Sequence, residues 1–510
     1  RWRMKKIIKS IGALALGAAV FTASSLSVMA AERSYTYNYD YWGDVQDSPD
    51  AYTVTNVYTA STFGLDVNFK NPQGLFVKGN MLYICDTGNN RIVQLERTGT
   101  ESFAVARIFD SIQGDTEVTA LAGPTDIAVS EEGDIFISDN GNARIVKVDS
   151  DLNYLMQFDL PVDSNVSADS VFQPSKIVID TAGRVYCIAT SINQGLCKYE
   201  ADGTFSGFVG ATPVTFDFMD FVWKKLATQE QRQRMTSFVP TAYDNIYIDH
   251  EGFIYACAGG QEEAALDTGA ADAIRKLNLM GNDILVENGE FPVYGDLYWG
   301  EGGGYEGPSY FTDVTVFDND IYVCLDKNRG RLFGYDDQGK TVFCFGGNGN
   351  MDGYFRQPAA IEHMGHDLFV LDALDCSITL FTPTEFGELV YSAIEEFDEG
   401  NYVVSGESWR KVMELDGNYD LAYIGIGRSL LRQKQYEEAM DYFELKYDRE
   451  NYSKAYKQYR KVWVEEHIVV LVIVILAIFL IPMGIGKIRR TKYEIDTADI
   501  FENRRTGRPI

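Results

Sequence analysis

Histidine is nearly missing from this chain, with four in 510 residues. A histidine-built metal or acid–base centre therefore has little to draw on. Proline is sparse too, 13 against 46 glycines. Basic residues number 45 against 74 acidic ones, a net charge of −29. That carboxylate excess excludes nucleic acid as a partner, because phosphate binding needs clustered Lys and Arg. No Gly-x-Ser-x-Gly elbow, Walker loop or Cys-x-x-Cys pair occurs, so the sequence assigns no catalytic residue.

What is plentiful points to β-structure. Aromatics make up 13% of the chain, with 31 tyrosines, and glycine far outnumbers proline. Turn-rich all-β proteins have this composition. The length allows more than one domain. The seven cysteines leave at least one unpaired. Cys85, Cys257 and Cys324 sit in apolar strand-like runs, where a small buried hydrophobe suffices. Cys187 and Cys197 flank a hairpin turn and are the pair best placed for a disulfide.

The two ends set the expected compartment. From Met4 a basic segment "MKKIIKS" leads into an apolar run and then Val28-Met29-Ala30, the pattern of a signal peptide over 1–30. No cysteine stands at the cleavage site, so no lipoprotein anchor is expected. Residues 468–485 carry no charge, long enough for a membrane helix over 467–486. Lys487, Arg489, Arg490 and Lys492 come directly after it, which places the tail 487–510 in the cytoplasm. The expected topology is single-pass type I, with everything between the two segments extracellular.

Between them, six segments repeat one pattern: a turn residue, an apolar run, a turn, then an aromatic anchor at Tyr83, Phe136, Tyr186, Tyr255, Tyr322 and Phe369. Each unit alternates apolar and polar residues over short strands and cannot bury its apolar face alone. Such a period, with about four strands per unit, predicts a six-bladed β-propeller over 51–392. The alternating run 51–60 is placed to lend the last blade a strand and close the ring. The stretches "CDTGNNRIVQL" and "SDNGNARIVKV" resemble NHL repeats, and the later units are degenerate versions. The resemblance implies a propeller scaffold and, by itself, no particular activity.

From 393 to 465 the period becomes helical. Ala422, Gly425, Leu430, Tyr436, Ala439 and Phe443 fall at packing positions that resemble a TPR motif. One or two such units imply a short helical stalk before the membrane helix. The predicted fold is thus mainly β: a propeller, a TPR-like segment and one transmembrane helix.

Three insertions, 210–240, 259–272 and 287–312, fall in loops expected on one propeller face. The first carries an amphipathic helix with Trp223. The third holds Tyr294, Tyr298, Trp299, Tyr305 and Tyr310. Aromatic faces beside carboxylates stack on sugar rings, cage cations or form protein interfaces; they also pack against their own domain. Gly302, Gly304 and Gly307 spell G-x-G-x-x-G, but Pro308 and the β-run "FTDVTVF" come next, where a dinucleotide site needs a helix.

A second candidate site lies in the funnel. Aligning the innermost strands places Gly74, Asp126, Lys176, Asn245, Asp313 and Ala360 at equivalent positions. Asp126, Asn245 and Asp313 carry hard oxygens of the kind calcium takes. Resemblance to six-bladed lactonases of the gluconolactonase and paraoxonase type implies such a central ion. Lys176 in the same ring speaks against it. A zinc lyase resembling peptidyl-hydroxyglycine lyase would want three inward histidines. His250, His363 and His366 instead fall at hairpin turns, and His467 borders the membrane run.

The expectation is a membrane-anchored extracellular binding or scaffold protein at a bacterial surface. Its partners would be membrane or surface proteins, among them a transporter, or a carbohydrate. The alternative is a calcium-dependent lactonase- or hydrolase-like, or lyase-like, propeller enzyme.

Overall fold

The computed structural model describes residues 35–114, 117–163, 166–167, 169–210, 243–297 and 307–506. The leader segment 1–30 and Tyr298, Trp299, Tyr305 and Trp223 lie outside them. So do Gly302, Gly304 and the amphipathic run 216–235.

Six antiparallel sheets stand around one axis. The first is Gly74–Lys78, Met81–Asp86, Arg91–Arg97 and Phe103–Phe109. The second is Pro124–Val129, Ile135–Asp139, Arg144–Val148 and Tyr154–Phe158, and the third Pro174–Ile179, Val185–Ala189, Leu196–Tyr199 and Phe205–Val209. The fourth has three strands among the described residues: Asn245–Ile248, Ile254–Cys257 and Ile274–Leu277. Phe311–Val316, Tyr322–Asp326, Arg331–Tyr335 and Thr341–Asn348 form the fifth. The sixth combines Pro358–Met364, Asp367–Asp372 and Ser377–Pro383 with Tyr52–Thr59. Five blades thus have four strands or more. Each inner strand touches the next, and the sixth touches the first, so the ring closes.

Closure uses the N-terminal strand anticipated at 51–60, which pairs Tyr58 with Ile378 and Val54 with Phe381. The aromatic anchors are all buried, none more than 5% exposed. They stand on the second strand of each blade, facing neighbouring sheets. Four blades begin with a bulge, after Pro124, Pro174, Phe311 or Pro358. A residue without N–H is tolerated at a strand's first position, and the bulge re-aims the side chains beyond it. At Gly74 an added Cβ would lie 2.5 Å from the Thr125 carbonyl oxygen. The first two inner strands therefore approach too closely for any side chain there.

The NHL-like signature holds turns together. Asp86, fully buried, accepts from the Asn89 amide (2.8 Å), Arg91 Nε (2.7 Å) and the Lys70 N–H (2.8 Å). Asp139 does the same with Asn142, Arg144 and the Ala122 N–H. Asp326 and Asp372 occupy the equivalent place and accept from the N–H groups of Tyr310 and Arg356. In blades three and four Ala189 and Cys257 end the second strand, and the signature fades there. The motif ties each blade to the segment before it; its residues are taken up by the fold.

A short helix α1 (Glu263–Asp267) lies in the fourth blade's insertion. After the last strand come α2 (Glu385–Asp398), α3 (Tyr402–Leu415), α4 (Asp420–Arg432), α5 (Tyr436–Leu445) and α6 (Arg449–Thr506). Helices begin at Glu385, ahead of the expected 393, because Thr384 caps α2 by accepting from the Gly387 N–H. Consecutive helices pack in pairs, with Ala422, Leu430, Ala439 and Phe443 buried as the TPR-like spacing requires. At Gly425 a Cβ would come 2.3 Å from Trp409 Nε1, so glycine lets α4 lie against the indole.

This segment is not set apart from the propeller. Phe386, Val390, Tyr391, Trp409 and Tyr419 share one apolar cluster with Tyr52, Phe343, Phe345 and Phe381 of blades five and six. Tyr419 Oη donates to the Val342 carbonyl at 2.7 Å. The N-terminal strand Thr36–Tyr39, which carried no clear signal, extends blade five by pairing with Thr341–Asn348. Helix α6 is long and apolar enough to cross a membrane over part of its length. It runs unbroken well beyond both ends of the expected 467–486.

Candidate functional site

Parity along the inner strands sorts the axis-facing side chains into layers. Asp126, Lys176, Asn245 and Asp313 form the innermost level with Gly74 and Ala360. Glu362, Tyr247, Thr315 and Phe76 form the next. A cavity of 410 Å³ runs from this ring to the turns joining first and second strands, bordered by Glu131, Thr181, His250 and Asp318. Helix α2 docks on the same side, since Asn319 and His366, in the turns of blades five and six, both contact Glu395. Tyr243, Gly259 and Tyr310, which border the insertions, lie at the other end of the inner strands. The cavity and the loop-rich face are therefore separate.

The ring is held by bonds between blades. Asp126 Oδ2 accepts from the Ile177 N–H at 2.8 Å, and Asp313 Oδ2 from the Ile361 N–H at 2.8 Å. Asp313 Oδ1 accepts from its own strand at Val314, and Asn245 Oδ1 from Ile246. Lys176 Nζ donates to the Gln73 carbonyl at 3.3 Å. Burial pushes Asp126 up to about 6 and Asp313 up to about 7, against the pull of Lys176. Glu362 is driven well above the usual carboxylate range by burial and then by Asp313 and Asp126. Burial opposes the Lys176 charge, but Asp126 and Asp313 outweigh it and raise its pKa. His363 is pushed down to about 4 by burial and bonds Thr315 Oγ1 at 2.7 Å.

Calcium takes about six to eight oxygens. In this ring the aspartates and Asn245 already accept backbone N–H groups, and Lys176 adds a positive charge. The donor set does not fit that ion. Among the described residues, no three His, Cys, Asp or Glu side chains are placed to hold a metal.

On the loop-rich face, the described parts of the second and third insertions meet at Asp244. Tyr310 Oη donates to Asp244 Oδ1 at 2.7 Å, and the Gly259 N–H reaches Asp244 Oδ2 at 2.9 Å. Lys327 Nζ stands 3.6 Å from the centre of the Tyr310 ring. Tyr294 packs against the cluster of blades four and five. Both tyrosines are thus occupied by their own domain. Beneath the third insertion, buried Asp296 accepts from Tyr39 Oη (2.8 Å), pairs with Arg329 Nε (3.1 Å) and bonds Tyr37. Arg329 also reaches the Gly307 carbonyl. This clamp joins both ends of the insertion to the N-terminal strand, a role that no motif in the sequence advertises.

The family model described as NHL repeat matches residues 121–148, in blade two. A probable peptidyl-alpha-hydroxyglycine alpha-amidating lyase of Caenorhabditis elegans is 27% identical over 135 residues, 26% of this chain. The chain spans 38% of that relative's length. Among solved structures, a streptogramin B lyase is similar at 13% identity and TM-score 0.39, over 66% of this chain and 100% of that one. Virginiamycin B lyase from Staphylococcus aureus is similar at 11% and 0.37, over 64% and 99%. The chain is a β-propeller by its strand order, and its second blade carries a match to the NHL repeat.

Proposed function

We propose that this chain is a membrane-anchored extracellular binding or scaffold protein, presenting a propeller to ligands or partner proteins at a bacterial surface. The observation that supports this most is the shared core of propeller and helices, continuous with a helix whose apolar stretch is 0% buried. A propeller fixed in that way to a lipid-seeking helix suits presentation better than free diffusion. Carbohydrate sensing or uptake beside a transporter is the finer reading, resting on the aromatic third insertion. Protease treatment of intact cells tests the topology: the propeller should be cleaved and the tail protected. Cross-linking in membranes, with a glycan array on the purified chain, tests partner and ligand. A cytosolic, carbonate-extractable chain would overturn the proposal.

A second reading, a hydrolase- or lyase-like reaction in the funnel, is supported by the stretch similar to the amidating lyase. Its test is release of an amidated peptide from a peptidyl-α-hydroxyglycine. No turnover by the full chain would remove it.

A further inference from the structure

We propose that the central cavity binds a small molecule carrying a protonated amine, held by Glu362 above a floor of Asp126 and Asp313. This rests on the binding reading above and names a ligand class for one face of the propeller.

Charge is matched unevenly along the cavity. At the mouth, three of the four acids sit beside a cation: Glu131 beside Lys78, Asp180 beside Arg184 Nε at 2.6 Å, and Asp249 beside Lys276 Nζ at 3.4 Å, which Asp320 shares; Asp318 has none among the described residues. At depth the matching stops. Asp126, Asp313 and Glu362 face one lysine, Lys176, whose ammonium hydrogen-bonds a backbone carbonyl. Three acids that share one fixed cation hold on to protons in the resting chain, and a bound ammonium would supply the countercharge that lets Glu362 ionise.

Glu362 itself points the same way. It is 8% exposed and lines the cavity, yet among the described residues it makes no ion pair and no hydrogen bond to another side chain. Its partner is the N–H of its neighbour His363. A buried carboxylate is ordinarily matched by several donors. An ammonium, with three N–H donors and no acceptor, completes such a group.

Shape sets the rest of the ligand. The 410 Å³ lies within the roughly 300–1,000 Å³ of small-molecule sites. Phe76, Val178 and Tyr247 line the wall between floor and mouth, so the amine would carry a compact body that packs on apolar and aromatic surface.

The test uses the full chain in detergent, titrated with 1,4-diaminobutane and with glucosamine, glucose serving as the neutral control. Both amines should raise the melting temperature and glucose should not. Glu362→Gln should weaken amine binding by about tenfold, measured calorimetrically. Lys176→Met should tighten it, because the competing cation is gone, and a damaged fold would not give that sign. The proposal fails if neither amine shifts the melt, if glucose matches glucosamine, or if either variant binds as the parent does. A glycan or partner protein that engages the parent chain while neither amine does would end this proposal and leave the binding reading standing.

Discussion

The hydroxyls of Tyr52 and Tyr391 lie 2.5 Å apart, joining the strand that closes the propeller to the first helix behind it. Tyr52 also donates to the His366 carbonyl at 3.0 Å. His366 bonds Glu388 at 3.1 Å and Glu395 at 3.0 Å on the same helix, with its ring 4.4 Å from that of Tyr391. Ring closure and helix docking thus share residues. Ending the chain after Thr384 should expose Tyr52, Phe343 and Phe345 and lower the propeller's melting temperature. Two separate calorimetric transitions in the full chain, with the propeller's unmoved by truncation, would contradict this coupling.

The contact of Gly425 with Trp409 gives a sharper local prediction. Gly425→Val forces the indole out of place and should cost about 1–3 kcal/mol by overpacking. Trp409→Ala leaves a cavity instead and should cost about 3–5 kcal/mol. Denaturant melts of both variants check the values. A Gly425→Val chain as stable as the parent would show that α4 does not lie on the indole.

Protonation of the funnel acids should be visible in stability. Asp313 titrates at about 7 in the fold, against roughly 3.9 in an unfolded chain. The folded state therefore holds its proton more tightly, so this group destabilises the fold above pH 7 and ceases to do so as pH falls through 7 toward 4. Asp313→Asn removes the ionisation. Relative to the parent it should look more stable at pH 8 than at pH 5, whatever its lost hydrogen bond costs at both. Identical differences at the two pH values would refute the shift.

The thiols offer a count. Six of the seven cysteines are buried and Cys376 is partly exposed, and all seven are free. Burial pushes the Cys85, Cys187, Cys257 and Cys324 thiols well above their ordinary range, which disfavours the reactive thiolate. Under reducing conditions, a native thiol titration should find about one fast group, at Cys376, and denaturation should release the rest. Cys187 and Cys197 are direct partners across two strands. They are nonetheless free, against the disulfide expected from sequence, and non-reducing mass spectrometry of the purified chain should find them unlinked.

Arg329 should be the least replaceable cation of the loop-rich face. It serves Asp296 at 3.1 Å and Asp326 at 3.5 Å, both buried. Arg329→Met leaves those carboxylates short of a partner and should cost about 3–5 kcal/mol. A loss under about 1 kcal/mol in urea melts, the level of an ordinary surface pair, would show that the clamp is dispensable.

The ring of blades was legible because every repeat carries the same alternation and the same buried aromatic. The closing strand was legible for that reason too. The level shared by Asp126, Lys176, Asn245 and Asp313 emerged from aligning the units. What those groups bond did not, because their partners, such as the Ile177 and Ile361 N–H groups, belong to the next blade. The docking of α2 was hidden for a similar reason. Phe386 and Tyr391 fall in the stretch expected to end the propeller, and only the assembled blades reveal the surface that their helix meets. Tyr294 and Tyr310 read equally well as ligand platforms or as packing. Asp244 and Lys327, neither of which neighbours it in the chain, decide for packing at Tyr310, and the apolar cluster of blades four and five does so at Tyr294.

The last helix also fixes a distance. From Arg449 to His467 it is continuous with the charge-free run and held at its base by α5. At about 1.5 Å per residue that length is a strut of roughly 28 Å. In the anchored arrangement the propeller would ride at one fixed height above the lipid, turning with its helix. Its partners would then be selected by altitude as much as by chemistry.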